Sequence, residues 1–322
     1  MIVGFNLLSG LMRALGDSKT PLYFLIFTTL INILLNVIFI YYFHMGVKGS
    51  ALGTVVAMTI SVFSCLFYMS KKFSLLFPQR GEWRLSKKMC REHLVIAVPM
   101  AIQFSIIALS TAVTQAICNK FGFTAIAAMT AAMRIEQLAC QPMVSFGIAM
   151  STYVAQNYGA CRVGRIRRGV FECSMTSLTI SLFLALFVFV FGGQIVGIFV
   201  PDEKPELSLE VISMARTYLN ISVMFYFFLG QIFIFRNSCQ GMGNSIIPMI
   251  SSIVELLMRI FAAIYLAASF GFVGLCYASP LAWIGGAAVV AFGYFRTVLK
   301  INRRLRHSRN KKYDAKISTK FA

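Results

Sequence analysis

Gly16-Asp17-Ser18-Lys19-Thr20-Pro21 returns near the other end of the chain as Gly243-Asn244-Ser245-Ile246-Ile247-Pro248. The two copies lie about 227 residues apart (243 minus 16), and each proline opens an apolar stretch of membrane-spanning length. Those stretches end at matching glycine pairs, Gly46-x-x-Gly49 and Gly271-x-x-Gly274. Internal repeats in a membrane protein are typical of transporters, whose substrate site lies between the repeated halves.

The composition places the chain in a lipid environment. Of its 322 residues 58% are hydrophobic and 13% are charged, and the mean hydropathy is +0.76. A globular domain of this composition would be insoluble in water, so we predict an all-α polytopic membrane protein. The eight cysteines show no metal-ligand spacing and are expected to pack as small apolar side chains. No metal site and no catalytic residue is predicted.

The apolar runs define the predicted membrane spans, because a helix needs roughly 20 apolar residues to cross the hydrocarbon core. Proline and glycine mark many of their ends. The eight predicted spans cover residues 21–43, 50–70, 93–118, 123–157, 172–199, 211–236, 246–269 and 272–296.

Basic and non-basic loops alternate between these spans and predict the orientation. The basic segments are 71–93, 159–170 and the tail after 295, and the others are 44–49, 119–122 and 201–210. By the positive-inside rule, the basic segments and the C-terminus face the cytoplasm, across the cell (inner) membrane. The net charge of +19 is therefore largely a topology signal, with some attraction to the lipid bilayer surface. We expect no nucleic-acid partner.

Three motifs resemble bacterial members of the multidrug and toxic compound extrusion (MATE) family. They are Arg13-Ala14-Leu15-Gly16-Asp17-Ser18-Lys19-Thr20-Pro21, Ala131-Ala132-Met133-Arg134-Ile135-Glu136 and Val154-Ala155-Gln156-Asn157-Tyr158-Gly159-Ala160. The resemblance implies two six-helix bundles related by a pseudo-two-fold axis. It also implies export of small cationic or amphipathic compounds in exchange for Na⁺ or H⁺, with no other cofactor.

The resemblance also suggests how the chain is divided. Residues 1–80 resemble the end of the fourth helix and helices five and six of the first bundle. A cytoplasmic linker (81–92), a complete second bundle (93–298) and a basic tail (299–322) follow. We therefore expect helices one to three to be absent from this chain. Because alternating access needs two bundles, we expect the chain alone not to confer drug efflux.

The acids that couple ions in relatives do not transfer to this sequence. The first helix, which carries one in many relatives, has no counterpart here. The seventh shows Gln103 and Gln115, and the tenth shows Asn220 and Gln231, without an acid. The coupling residue must be sought among the other ionisable side chains.

Charged residues within spans are costly and therefore mark functional or structural sites. Arg134 and Glu136 are two positions apart, about 200° around a helix, and so cannot pair directly. Glu136 is the ion-coupling candidate, and an interhelical contact is the alternative. Glu255 and Arg259 are four positions apart and are predicted to pair on their own helix, with a cavity-lining role as the alternative.

Amides are the second set of candidates, since they bind substrates or bridge helices. Gln137 and Gln141 follow Glu136 on the same span and make residues 136–141 the best candidate for a cavity wall. The full set of predicted substrate-cavity residues is Arg134, Gln137, Gln141, Gln103, Gln231, Asn32, Asn36, Glu255 and Arg259.

Other functions are weighed against the antiporter. A flippase for lipid-linked precursors would have a related two-bundle fold, but only Arg134, Arg216 and Arg259 lie within the predicted spans away from their terminal residues. A membrane-embedded transferase needs clustered acids, and no Asp lies inside a span. No Gly-Lys-Ser/Thr loop indicates ATP. An inactive fragment is the remaining alternative.

Overall fold

The computed structural model describes residues 1–73, 86–199 and 205–318, and regular structure there is helical. The α-helices are α1 (Ile2–Ala14), α2 (Lys19–Val37, extended by a π-helical turn Ile38–Tyr42), α3 (Gly46–Lys72), α4 (Lys87–Cys118), α5 (Phe123–Gly159), α6 (Val163–Phe199), α7 (Pro205–Val223), α8 (Tyr226–Gly241), α9 (Ile246–Cys276) and α10 (Ala278–Ser318). Within this part of the chain, seven helices are long and apolar enough to span a membrane, and a bent pair makes an eighth candidate. The predicted all-α polytopic membrane fold is confirmed.

The chain forms two compact units, Met1–Lys87 and Lys88–Ala322. In the first, α1, α2 and α3 pack around a small cluster that includes Met12, Cys65 and Met69. The hydroxyl of Thr28 on α2 donates a hydrogen bond to Ser61 on α3 inside this unit. In membrane helices, such small hydroxylated residues allow close approach and supply an interhelical hydrogen bond.

The larger unit is built around α5 and α8. Helix α5 packs against α6, α7 and α8, and α10 packs against α8 and α9. Buried alanines on α5, among them Ala125, Ala128 and Ala132, let its neighbours approach closely. Larger side chains such as Tyr218 and Trp283 complete this core.

The two copies of the sequence repeat have the same backbone conformation and the same hydrogen bonds. Gly16 and Gly243 have φ of 91° and 78°, the left-handed region that favours glycine. The next residues, Asp17 and Asn244, donate their N–H groups five residues back to Met12 O (3.0 Å) and Cys239 O (2.9 Å). This pattern is a Schellman helix end.

The same two side chains then begin the following helix. Asp17 Oδ1 accepts the N–H of Thr20 at 3.1 Å, and Asn244 Oδ1 accepts the N–H of Ile247 at 3.4 Å. Each acceptor lies one residue before the N-cap, Ser18 or Ser245, and satisfies a backbone donor in the first turn of the helix. Each copy therefore ends one helix and starts the next within three residues.

The second glycine pair also repeats in structure. Gly46 and Gly271 have φ of 54° and 61°, and Gly271 breaks α9. A Cβ at Gly274 would lie 1.9 Å from the backbone oxygen of Leu266, so the chain reverses here with no room for a side chain. The predicted boundary at Gly271 is thus a real break, although helical residues continue on both sides of it.

Several predicted boundaries differ from the structure, and three of the differences are instructive. The span 211–236 is two helices, α7 and α8, bent by 53°. No proline or glycine stands at the break, so residue type gave no signal for it. Helix α6 begins at Val163 rather than near 172, because the basic segment 159–170 continues into helical turns. Helix α10 likewise continues through the basic tail to Ser318. Residues 74–85 and 200–204, parts of two predicted loops, lie outside the described residues.

Candidate functional site

Glu136 lies on α5 and is contacted from two other helices of the larger unit. The hydroxyl of Tyr218 on α7 donates a hydrogen bond to Glu136 Oε2 at 2.7 Å. The guanidinium of Arg259 on α9 interacts with the same carboxylate electrostatically, without a direct hydrogen bond. Tyr226, at the start of α8, is also electrostatically coupled to it. The carboxyl group that the sequence leaves without a local partner is therefore held between helices.

Groups around Glu136 keep unused hydrogen-bonding capacity. Tyr226 is fully buried, and its hydroxyl has no hydrogen-bond partner among the described residues. Within the same part of the chain, Nε of Arg259 is also unpartnered. Buried polar atoms without partners are uncommon in membrane helices and favour sites that exchange protons or take up polar ligands.

One face of α5 is polar and exposed. Arg134, Gln137 and Gln141 fall at positions i, i+3 and i+7, and all three are exposed. This spacing puts them on one stripe of the helix. Because exposed amides and a guanidinium are costly in hydrocarbon, the stripe is suited to an aqueous cavity or another polar surface. Residues 136–141 thus present one partly buried acid and an adjoining polar wall.

Glu255 does not pair with Arg259, and the predicted pair on α9 is wrong. Arg236 of α8 instead donates to Glu255 Oε1 at 2.5 Å, with side chains that are 7% and 11% exposed. Ser251, one turn before Glu255, donates to the same oxygen at 3.1 Å. Glu255 projects towards α8 and α10, where a Cβ on Gly286 would collide with it. Arg259 is consequently available to Glu136.

The remaining predicted amides bridge helices or lie elsewhere. Gln103 on α4 is buried and accepts a hydrogen bond from Gln240 on α8 at 3.1 Å. In the first unit, Asn32 donates to Thr54 at 3.2 Å, and Asn36 donates to Asn32 at 3.3 Å. These amides therefore bond to neighbouring side chains of the protein, which is the alternative to binding a substrate. Gln231 lines a separate groove formed by α6, α8 and α10.

Tyr218, Tyr226 and Arg236 are the contributing residues that the sequence did not single out. Arg236 stood at the end of the predicted 211–236 span, where a charge is unremarkable. Because α8 continues to Gly241, Arg236 is in fact inside a helix and 6% exposed. A basic residue that follows ten mostly apolar positions, Tyr226 to Phe235, would have been the available signal.

Membrane-length helices, a repeated helix-ending turn and interior charged groups define a multi-pass helical membrane protein. The family model described as MatE matches residues 99–265. This protein belongs to that family, whose members are transporters rather than enzymes.

Two relatives support this assignment at the sequence level. The chain is 26% identical over 256 residues to the probable multidrug resistance protein YpnP of Bacillus subtilis (strain 168), covering 79% of this chain and 55% of the relative. It is 29% identical over 252 residues to the probable multidrug resistance protein YoeA of the same organism, covering 76% and 53%. The chain thus matches little more than half the length of these two relatives.

The fold agrees with a solved structure. A crystal structure of MATE in complex with MaL6 superposes with a TM-score of 0.85 at 17% identity, over 94% of this chain and 68% of that one. The likeness extends over most of this chain and shows the same fold.

Proposed function

We propose that this chain carries the ion-coupling site of a secondary antiporter that exports cationic or amphipathic compounds, with H⁺ as the coupling ion and Glu136 as its carrier. The observation that carries the proposal is on α5, which joins a partly buried carboxylate to an exposed polar stripe. Arg134, Gln137 and Gln141 of that stripe are proposed to face the substrate. YpnP and YoeA are named as probable multidrug resistance proteins, which supports this substrate class.

The surroundings of Glu136 favour H⁺ over Na⁺. Arg259 lies within electrostatic range of the carboxylate and would repel a bound metal cation. A proton neutralises the carboxylate without adding a second cation beside the guanidinium. Tyr218 keeps its hydrogen bond to either form of the acid, because a protonated carboxyl group still has acceptor oxygens.

Exchange then follows from competition at one carboxyl group. A cationic compound at the polar stripe stabilises ionised Glu136 and so promotes release of its proton. Uptake of a proton from the other side weakens the attraction for the compound. Such reciprocal coupling is a thermodynamic requirement when two ligands affect the same charge.

The test is proton release on ligand binding by the purified chain in detergent. Tetraphenylphosphonium is added to weakly buffered protein containing a pH indicator dye, and released protons are counted against bound ligand. We expect release from the wild type and little from Glu136→Gln, with Glu136→Asp intermediate. The matched control is Glu172→Gln, which removes an exposed acid outside this site. Normal release from Glu136→Gln, or release that requires added Na⁺, would overturn the proposal.

The proposed location is the cytoplasmic membrane, with the basic segment 159–170 and the C-terminus on the cytoplasmic side. Helix α5 is 37 residues long, so its ends are about 55 Å apart. Cys161 and Lys120, which flank the helix, are both exposed. In an otherwise cysteine-free protein, an impermeant maleimide added to intact cells should label Lys120→Cys and not Cys161. Labelling of both, or of Cys161 alone, would contradict this orientation.

A further inference from the structure

An apolar groove runs along the larger unit between α6, α8 and α10. Its volume is about 830 Å³, within the range of ligand-binding pockets. Helices α6 and α10 both pack against α8, which contributes the lining residues between them. Phenylalanines and small alanines make up most of the wall, including Phe228, Phe235, Ala288 and Ala291.

The polarity of this groove changes in one direction along its length. Arg167 and Arg168 lie close to the start of α6 and mark one end, which we call the mouth. Arg167 is electrostatically coupled to Tyr294, so α10 also reaches the mouth. Ser174 is two turns further along α6, about 10 Å deeper by helical rise. Ile284, ten residues before Tyr294 on α10, lies at the apolar end.

Three hydrogen-bond donors on the wall are buried and unused. Ser174 Oγ, Gln231 Nε2 and Tyr294 Oη have no hydrogen-bond partner among the described residues. Their residues are 7%, 6% and 2% exposed, respectively. Unsatisfied donors at membrane depth are strongly unfavourable, because hydrocarbon offers no acceptors. The groove therefore calls for a molecule that brings acceptor atoms below its charged end.

The charge at the mouth is positive. Arg168 is paired with Glu172 at 2.7 Å, whereas Arg167 has no acidic partner within the part of the chain that the structure describes. An occupant with a single anionic end is thus favoured. No acid among the described residues lines the groove to attract a cationic compound, whereas the proposed transport site has Glu136.

We propose that the groove binds one anionic phospholipid. Its phosphate contacts Arg167 at the mouth. The ester carbonyl oxygens, which only accept hydrogen bonds, lie at the depth of the three unused donors, and rotation of those side chains towards the groove brings donor and acceptor together. The acyl chains then lie along the phenylalanine and alanine wall. Basic pockets between membrane helices are known to bind anionic head groups. In this groove the arginine, the hydrogen-bond donors and the apolar wall follow one another in the same order as the phosphate, the ester groups and the acyl chains of a phospholipid.

The test is lipid binding to the purified full chain by native mass spectrometry. The protein is titrated with phosphatidylglycerol and with phosphatidylcholine of identical acyl chains. We expect one tightly bound phosphatidylglycerol per chain, with about five-fold higher affinity than phosphatidylcholine, as one arginine near an anionic lipid predicts. Arg167→Gln should remove this preference. Arg162→Gln removes a positive charge from the same basic segment outside the groove and should leave the preference intact.

A second variant tests the apolar part. Ala288 is exposed and lines the groove, so Ala288→Trp should fill it without disturbing the core and weaken both lipids at least ten-fold. Ala268→Trp, at an exposed position of α9 outside the lining, is the control. Equal affinity of the wild type for the two lipids would overturn the proposal. So would unchanged binding to Ala288→Trp, or competition by glycerol 3-phosphate at lipid concentrations, which would show an anion site alone.

Discussion

Replacing Arg236 by Met should destabilise the larger unit by roughly 3–5 kcal/mol, the usual cost of breaking a buried ion pair from one side. The pair is joined at 2.5 Å, and its two side chains are only 7% and 11% exposed. After the substitution, the carboxylate of Glu255 keeps one hydrogen bond, from Ser251 at 3.1 Å, and loses its counter-ion in the helix interior. Most of the cost is this uncompensated charge rather than the lost attraction.

The double variant distinguishes that explanation from simple loss of packing. Arg236→Met combined with Glu255→Gln removes both charges and keeps the hydrogen bond to Ser251. We therefore expect it to recover most of the stability, as replacement of whole buried pairs commonly does. The matched surface control is Arg168→Met, which breaks an ion pair whose side chains are 82% and 59% exposed. It should cost far less than Arg236→Met, because an exposed ion pair contributes little to stability.

The assay is reversible unfolding in mixed micelles with rising dodecyl sulfate, followed by tryptophan fluorescence. Trp283 is 4% exposed in the core of this unit and reports its unfolding. If Arg236→Met costs as little as Arg168→Met, the uncompensated charge of Glu255 is not strongly destabilising. A double variant less stable than either single variant would also contradict this explanation.

Two further predictions concern the repeated turns. Hydrogen bonds from Lys72 and Thr20 lower the pKa of Asp17 from 3.8 to about 2. The ionised carboxylate therefore stabilises the first unit above about pH 4. This contribution is lost as the pH falls through about 2. Because Lys72 is half-exposed, we expect this ion pair to contribute less than about 1 kcal/mol to the free energy of unfolding. Asp17→Asn should make the free energy of unfolding nearly independent of pH between pH 4 and 2. An unchanged pH dependence would refute the assignment. Gly274→Ala should reduce the yield of folded protein on size-exclusion chromatography, because its methyl group meets Leu266 O, whereas normal yield and stability would contradict the close reversal.

Much of the architecture is encoded in local sequence. The repeated Gly-Asp/Asn turn predicts its own geometry, because only a few residue types adopt the left-handed conformation and then cap the next helix. Apolar run length likewise predicts the spans. The bend between α7 and α8 is not encoded in this way, since it occurs at Met224 and Phe225 without a helix-breaking residue. It depends on packing, which a single span cannot reveal.

The candidate-site residues on α5 could be proposed from the sequence, whereas the pairings and the contributing residues on α7 and α8 could not. Helical spacing correctly put Arg134 and Glu136 on different faces and grouped Arg134 with the glutamines of the exposed stripe. It failed for Glu255, whose partner Arg236 is 19 residues away on another helix. Likewise, Tyr218 is 82 residues from Glu136. Spacing rules predict side-chain pairs along one helix, whereas the side-chain partners inside a bundle depend on which helix faces pack together.

The same difference explains why Glu136, and not Glu255, is the candidate carrier. Protonation of Glu255 would leave Arg236, a guanidinium only 6% exposed, charged without its counter-ion in the interior. Protonation of Glu136 breaks no direct ion pair within the described residues. Its cationic neighbour, Arg259, is only partly buried and so retains access to polar surroundings. A coupling residue must change charge repeatedly at low cost, and of these two acids only Glu136 is held in a way that permits it.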